Sequence, residues 1–309
     1  MTPRARPGLG IALVVLTSLC FAGMDTTVKY SGRFLPVLLI LWVRYATQAG
    51  VMTLWLAGSK TAGFRPAHPK FQLVRGLLLL GSSASSFIGL QYLPVAEFTS
   101  IAMLTPVIVT LLAAWLLHER LSTLRWALVV GGFVGAVIVI RPGSGLFGWP
   151  VLFPLAGTLC YASFQVLTSK LSTLENPYTT HFYSGAVGTA VITPWLLGSG
   201  LDLAQTLHAA SASHIGMMLG VGMLGTVGHL LLVLALGVAP TATLMPFVYL
   251  QIVWAAGLGH LVFGHAPDHA GWLGMAVVMV CGAASAWLNV RDASRGRPVS
   301  ALQADSILD

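Results

Sequence analysis

The chain is 309 residues long, 56% hydrophobic and only 8% charged, against about 25% charged residues in an ordinary soluble domain. With a mean hydropathy of +0.83, this composition excludes disorder, argues against a soluble enzyme and makes the bilayer the solvent. The net charge of +7 forms no nucleic-acid-binding run, because the basic residues sit at the ends of apolar stretches, where they orient a chain in a membrane.

A hydrocarbon core of about 30 Å takes about 20 apolar residues to cross. Ten windows fit: 8–28, 35–57, 71–91, 95–117, 123–140, 148–170, 179–199, 213–236, 241–263 and 270–290. The first follows Arg4 and Arg6 and has the outline of a signal peptide. Its nearest approach to a cleavage site is Cys20-Phe21-Ala22, and the apolar run continues to Val28, so a retained helix is expected. Turn-forming pieces such as Gly58-Ser59-Lys60, Arg141-Pro142-Gly143-Ser144-Gly145 and Ala266-Pro267-Asp268 separate the windows and leave little room for an extramembrane domain. From Arg291 onward the chain is polar. Cys20, Cys160 and Cys281 lie within apolar stretches without metal-ligand spacing and are expected to be packing residues, with no disulfide.

With the N-terminus placed in the cytoplasm, the inner segments hold Arg4, Arg6, Lys60, Arg65, Lys70, Arg75, Arg120, Arg125, Lys170, Arg291, Arg295 and Arg297, and the outer ones only Lys29, Arg33 and Arg141. That bias predicts a multi-pass protein of a cell inner membrane with both termini cytoplasmic. Arg44 is the basic residue left deep within a window.

The chain also matches itself weakly. An offset of 146 carries Pro94 onto Pro240, Leu104 onto Leu250, Val107 onto Val253 and Trp126 onto Trp272, and Leu19-Cys20-Phe21-Ala22 echoes Leu159-Cys160-Tyr161-Ala162. The expectation is an all-α integral membrane protein of ten transmembrane helices in two inverted five-helix repeats, 1–145 and 146–290, with a polar cytoplasmic tail at 291–309. Five spans per copy insert the copies with opposite topology, the arrangement by which many secondary transporters obtain two conformations.

Tyr92-Leu93-Pro94-Val95-Ala96-Glu97, Leu104-Thr105-Pro106, His118-Glu119-Arg120-Leu121 and Arg141-Pro142-Gly143 together resemble the first EamA-type repeat of the drug/metabolite transporter superfamily. Gly228-His229-Leu230-Leu231, Ala239-Pro240-Thr241-Ala242-Thr243, the run from Pro246 through Tyr249-Leu250-Gln251-Ile252-Val253-Trp254, and Phe263-Gly264-His265-Ala266-Pro267-Asp268 resemble the second. The likeness covers nearly the whole chain. It implies ten helices, both ends inside, a substrate cavity between the halves and, in many members, export of small metabolites. One departure is His265, where the second repeat usually has Glu.

Ionisable groups within spans are the sharpest local signal, since each costs about 2.5–3.5 kcal/mol at bilayer depth on insertion scales. Asp25 lies near the outer end of the first span, Arg44 about halfway down the second, and Glu97 near the outer start of the fourth. Arg44 can pair with Asp25 or Glu97; such a pair either serves the substrate or clamps helices. Glu97, Ile101, Thr105 and Ile108 share one helical face, and the offset carries them onto Thr243, Phe247, Gln251 and Trp254. That semi-polar face suits a cavity lining, although polar residues also tie membrane helices together. The remaining polar or aromatic candidates are Gln91, Tyr92, Tyr161, Gln165, His181, Tyr183, His229 and Tyr249. Asp25 and Gln165 correspond under the earlier repeat offset, and His229, beside Gly225 and Gly228, suits packing or a proton relay. Pro106, Pro154, Pro194 and Pro246 permit kinks.

The leading function is a secondary transporter, an exporter, of a small organic metabolite such as an amino acid, vitamin, nucleobase or drug-like solute. Asp25 and Glu97 are the candidates for coupling to protons; facilitated diffusion is the alternative. No metal site, nucleotide loop or Ser/His/Asp order is present in the sequence. An integral membrane enzyme on lipid or isoprenoid substrates needs clustered acids or a metal site at one interface, and a facilitative channel predicts conductance without saturation. The expected partners are a small-molecule substrate and the lipid bilayer, with the chain a monomer or homodimer and no nucleic acid bound.

Overall fold

The computed structural model describes residues 7–59, 63–116, 122–141, 148–171, 174–238 and 241–294. Among them every regular element is helical: α1 (Pro7–Ser31), α2 (Val37–Gly58), α3 (Pro69–Tyr92), α4 (Val95–Ala102), α5 (Thr105–Leu116), α6 (Thr123–Ile140), α7 (Leu152–Leu171), α8 (Pro177–Gly198), α9 (Leu203–Ala209), α10 (Ala212–Val238), α11 (Thr241–Val248), α12 (Leu250–Phe263) and α13 (His269–Ser294), with one 3-10 turn at Trp149–Val151 before α7. Lipid offers the backbone no hydrogen bonds, so each crossing segment must satisfy its own. The punctuation is in the sequence. Pro69 and Pro177 open α3 and α8, Pro36 and Pro94 stand just before α2 and α4, and the Asn176 side chain caps α8 by accepting from the Tyr178 N–H at 2.9 Å.

Seven of the described helices are long and apolar enough to cross a membrane, or eight when α8 and α9, bent by 98° to each other, count as one span. Window 95–117 divides at Met103-Leu104, whereas in 241–263 the stretch Pro246–Phe263 counts as one of the seven, with a single turn residue of helical φ and ψ at Tyr249. At the Met103-Leu104 break the cause is local: Pro106 has no N–H to donate to the Ala102 carbonyl, and the Thr105 hydroxyl donates to it instead at 2.7 Å. Pro246 lies inside α11, three residues before Tyr249. The predicted stripe is therefore divided in the first copy, with Glu97 and Ile101 on α4 and Thr105 and Ile108 on α5; in the second, Thr243 and Phe247 belong to α11 and Gln251 and Trp254 to α12. Phe247 packs with Val14, Ala235 and Leu244, whereas Trp254 packs on the main core. Arg4, Arg6, Lys60, Arg120, the His118-Glu119 pair and the polar tail from 295 lie outside the described residues, as does the side chain of Thr243.

The helices pack in a fixed set of pairs. α1 lies on α10 and α3 on α7; α2 meets α8; α6 meets α13; α1 also touches α11 and α12, while α7 touches α4 and α5. Two of these crossings depend on glycine. A Cβ on Gly274 would stand 2.7 Å from the Gly135 carbonyl oxygen, and one on Gly185 would stand 2.7 Å from the Ala49 backbone nitrogen, so α6–α13 and α2–α8 approach at backbone distance. Leu54, Trp195, Leu197, Leu261 and Val280 point outward and exposed, as expected of a lipid-facing surface.

Candidate functional site

The polar residues that the apolar helices carry converge in the interior. Arg44, seven residues into α2 and so about 10 Å below its start, is 1% exposed. One turn on, Gln48 donates from Nε2 to the His181 carbonyl at 3.0 Å, with His181 Nδ1 at 3.3 Å. Tyr45 donates to or accepts from the Ser83 hydroxyl at 2.9 Å. From α3, Gln72 donates to Thr180 Oγ1 at 3.1 Å. Arg75 donates from Nε to Thr168 Oγ1 at 2.7 Å and from Nη1 to the Thr180 carbonyl and Ser184 hydroxyl at 2.9 and 2.7 Å. Its guanidinium lies 4.5 Å from the centroid of Phe164. Spacings of four (Arg44, Gln48) and three (Gln72, Arg75) put each pair on one helix face.

On the other side, His229 of α10 lies 4.8 Å from the Phe21 ring, 6.1 Å from His181 and 6.5 Å from Tyr161, which stacks on Phe164 at 5.6 Å. Gly225 and Gly228 face α1 and Arg44, as the sequence suggested, and allow α1 and α10 to close on each other. Asp25 of α1 is buried and accepts from Gln251 Nε2 of α12 at 3.5 Å, the long limit of a hydrogen bond. Gln251 is buried and Trp254 half-buried, its indole Nε1 without a hydrogen-bond partner among the described residues.

Thus Asp25, Arg44, Tyr161, His229, Gln251 and Trp254 come together in the interior, with Gln165 half-buried one turn beyond Tyr161 on α7. Other candidates lie elsewhere. Tyr92 is 56% exposed, ring to ring with Phe153 and Trp149. Thr105 spends its hydroxyl on the α4–α5 break. Tyr249 is buried against Gly282, and Phe247 belongs to the α1–α10–α11 contact.

Two expectations need correction. Among the described residues Arg44 makes no ion pair with Asp25 or Glu97: its guanidinium lies over the Tyr45 ring, 4.4 Å from the centroid, and its charge acts on Asp25 at longer range. Glu97 is not at the surface. It is buried in the first turn of α4 and bonded to His265, whose half-exposed ring covers this carboxylate. Arg75, Gln48, Gln72 and Ser184 were not singled out. Arg75 was counted as an inner span end; its position six residues inside α3, about 9 Å deep, was the available signal.

No group of three or more His, Cys, Asp or Glu side chains among the described residues could hold a metal ion. The cluster is suited to holding a polar organic molecule by guanidinium, amide, imidazole and aromatic contacts.

The profile of the EamA-like transporter family matches residues 8–141 and 148–286. The chain is 30% identical over 224 residues to a riboflavin transporter of Rhizobium johnstonii, covering 71% of this chain and 70% of that one. It is 24% identical over 275 residues to an S-adenosylmethionine uptake transporter of Rickettsia felis, covering 87% and 90%. It is 28% identical over 276 residues to a pseudopaline exporter of Pseudomonas aeruginosa, covering 88% and 94%. A solved crystal structure superposes with a TM-score of 0.63 at 19% identity, covering 92% of this chain and 97% of that one, a likeness of fold. With a family match in both halves of an all-helical, lipid-faced chain, this protein belongs to the EamA-like transporter family.

Proposed function

We propose that this transporter is a ten-span secondary carrier that exports a small organic metabolite across a cell inner membrane by alternating access, with both termini in the cytoplasm and the buried polar cluster as its substrate site. In this reading α4 with α5 and α11 with α12 are each one span. Residues 1–145 and 146–290 are the two halves, inserted with opposite topology.

The observation that carries the proposal is that both halves build the cluster: α1, α2 and α3 bring Asp25, Arg44 and Arg75, and α7, α8, α10 and α12 bring Tyr161, His181, His229 and Gln251. A site at the seam of two halves is exposed to opposite faces when they rock against each other. The repeat is supported by the element boundaries. An offset of 146 carries the α4 start at Val95 onto the α11 start at Thr241, the break at Met103 onto Tyr249, and the α6 start at Thr123 onto the α13 start at His269. The packing agrees: exchanging α1 with α7 and α3 with α10 turns the α1–α10 contact into the α3–α7 contact.

Riboflavin, S-adenosylmethionine and pseudopaline, named for the relatives, are polar organic solutes, and the amide, imidazole and aromatic groups of the cluster suit that class. The test is flux in proteoliposomes: saturable transport of at least one such solute, with Gln251→Ala and Trp254→Ala raising its half-saturation concentration while remaining monodisperse. Flux that does not saturate identifies a channel. Loss of folding in both variants with unchanged affinity in the surviving fraction makes these residues packing elements.

A further inference from the structure

The two buried arginines differ in how they are satisfied. Arg75 is held by three hydrogen bonds to α7 and α8 and accounts for itself as a helix clamp. Arg44 is deeper in protein, at 1% exposed, yet its Nε and Nη1 have no hydrogen-bond partner among the described residues. A buried charged donor left unpaired costs more than a neutral one, and guanidinium groups at bilayer depth are rarely kept without a partner.

The neighbours the structure gives it supply no anion. One face of the guanidinium is covered by Tyr45. Beside Nε stands Gly225, where a Cβ would come within 3.4 Å of it, so α10 presents bare backbone to that edge. The buried acids cannot fill the role: Glu97 is engaged by His265, and Asp25 faces Gln251 without reaching ion-pair distance of Arg44. Asp25 is therefore the one carboxylate set against two guanidinium groups within the described cluster, and His181 and His229 add no negative charge. The interior carries an excess of positive charge, with two guanidinium nitrogens of Arg44 left without a partner among the described residues.

We propose that the transported solute carries an oxyanion, a carboxylate or phosphate group, and that the Arg44 guanidinium receives it. This rests on the reading of the cluster as the substrate site. Guanidinium N–H groups donate well to the oxygens of such a group, and each hydrogen bond is strengthened by both charges and by the absence of water. The oxyanion supplies what the protein lacks, so solute binding neutralises the site.

The probe is the small-molecule fraction of a bacterial extract, loaded into proteoliposomes bearing the wild-type protein, with the solutes released over protein-free vesicles identified by mass spectrometry. The expected result is that released solutes carry a carboxylate or phosphate, the masses deciding which, and that Arg44→Gln abolishes their release. Arg44→Lys keeps the charge but replaces the planar guanidinium with a compact ammonium, and should raise the half-saturation concentration of those solutes on the order of tenfold. Release of only neutral or cationic solutes overturns the proposal and leaves transport standing, as does undiminished affinity in Arg44→Lys. No release above protein-free vesicles overturns the transport reading itself, and the proposal with it.

Discussion

His265 Nε2 and Glu97 Oε1 stand 3.0 Å apart, joining the segment that follows α12 to the first turn of α4. The carboxylate side chain is 7% exposed and the imidazole 46%, so the histidine covers the acid like a lid. Lys29 reinforces this end of the bundle by donating from Nζ to the Leu90 and Leu93 carbonyls, both at 2.8 Å, which caps α3 beside the start of α4.

If the pair ties α4 to the second half, Glu97→Gln and His265→Ala should each lower the thermal unfolding temperature, and the double variant should lose less than the sum. A coupling of about 1 kcal/mol is expected for such a partly buried hydrogen-bonded pair. Strict additivity in the cycle refutes the link.

Arg141, at the end of α6, donates to Asp268, and the Gly271 N–H donates to the same carboxylate oxygen at 2.9 Å. The Arg141 hydrogen bond foremost, and the Gly271 N–H with it, hold the Asp268 carboxyl below its ordinary value of 3.8. An acid with a depressed folded-state value contributes stability above its unfolded value and loses it as pH falls through the folded one. The difference in unfolding temperature between wild type and Asp268→Asn should therefore be constant from neutral pH down to about 5 and shrink below about 4. Because the carboxylate is exposed, the difference should be small and fall further in high salt. An unfolding difference that persists at pH 2 contradicts this assignment.

The basic excess predicts topology. Single cysteines at Arg65 and at Ser294, in a background with Cys20, Cys160 and Cys281 replaced, should resist an impermeant thiol reagent in intact cells and react after permeabilisation. Strong labelling of intact cells reverses the proposed orientation.

Asp25 is the buried acid without a close cationic partner, and a carboxylate that changes neighbours between two open states can exchange a proton. If export is driven by protons, Asp25→Asn should abolish accumulation driven by a pH gradient and retain downhill exchange. Equal wild-type transport with and without the gradient assigns Asp25 a positioning role beside Gln251 instead.

Composition and hydropathy alone were enough to make this an all-helical chain in lipid, because a solvent without hydrogen bonds leaves the backbone little other choice. Helix starts were legible wherever proline or a turn interrupted an apolar run, as at Pro36, Pro69, Pro94 and Pro177. Pro106 signalled a kink, but not that the Thr105 hydroxyl would take the freed carbonyl and divide the span at Met103-Leu104. Asp25, Arg44, His229 and Gln251 stood out as costly polar groups in apolar windows. Which of them meet was decided only in three dimensions. Gln251 reaches Asp25 across 226 positions of chain and His265 reaches Glu97 across 168, contacts set by how each helix is rotated and tilted against its neighbours. Arg75 shows the limit most clearly: counted along the chain it was one more basic residue at an inner helix end, and only the approach of α7 and α8 turned it into a buried clamp, whereas Arg44 Nε and Nη1 stay without a hydrogen-bond partner among the described residues.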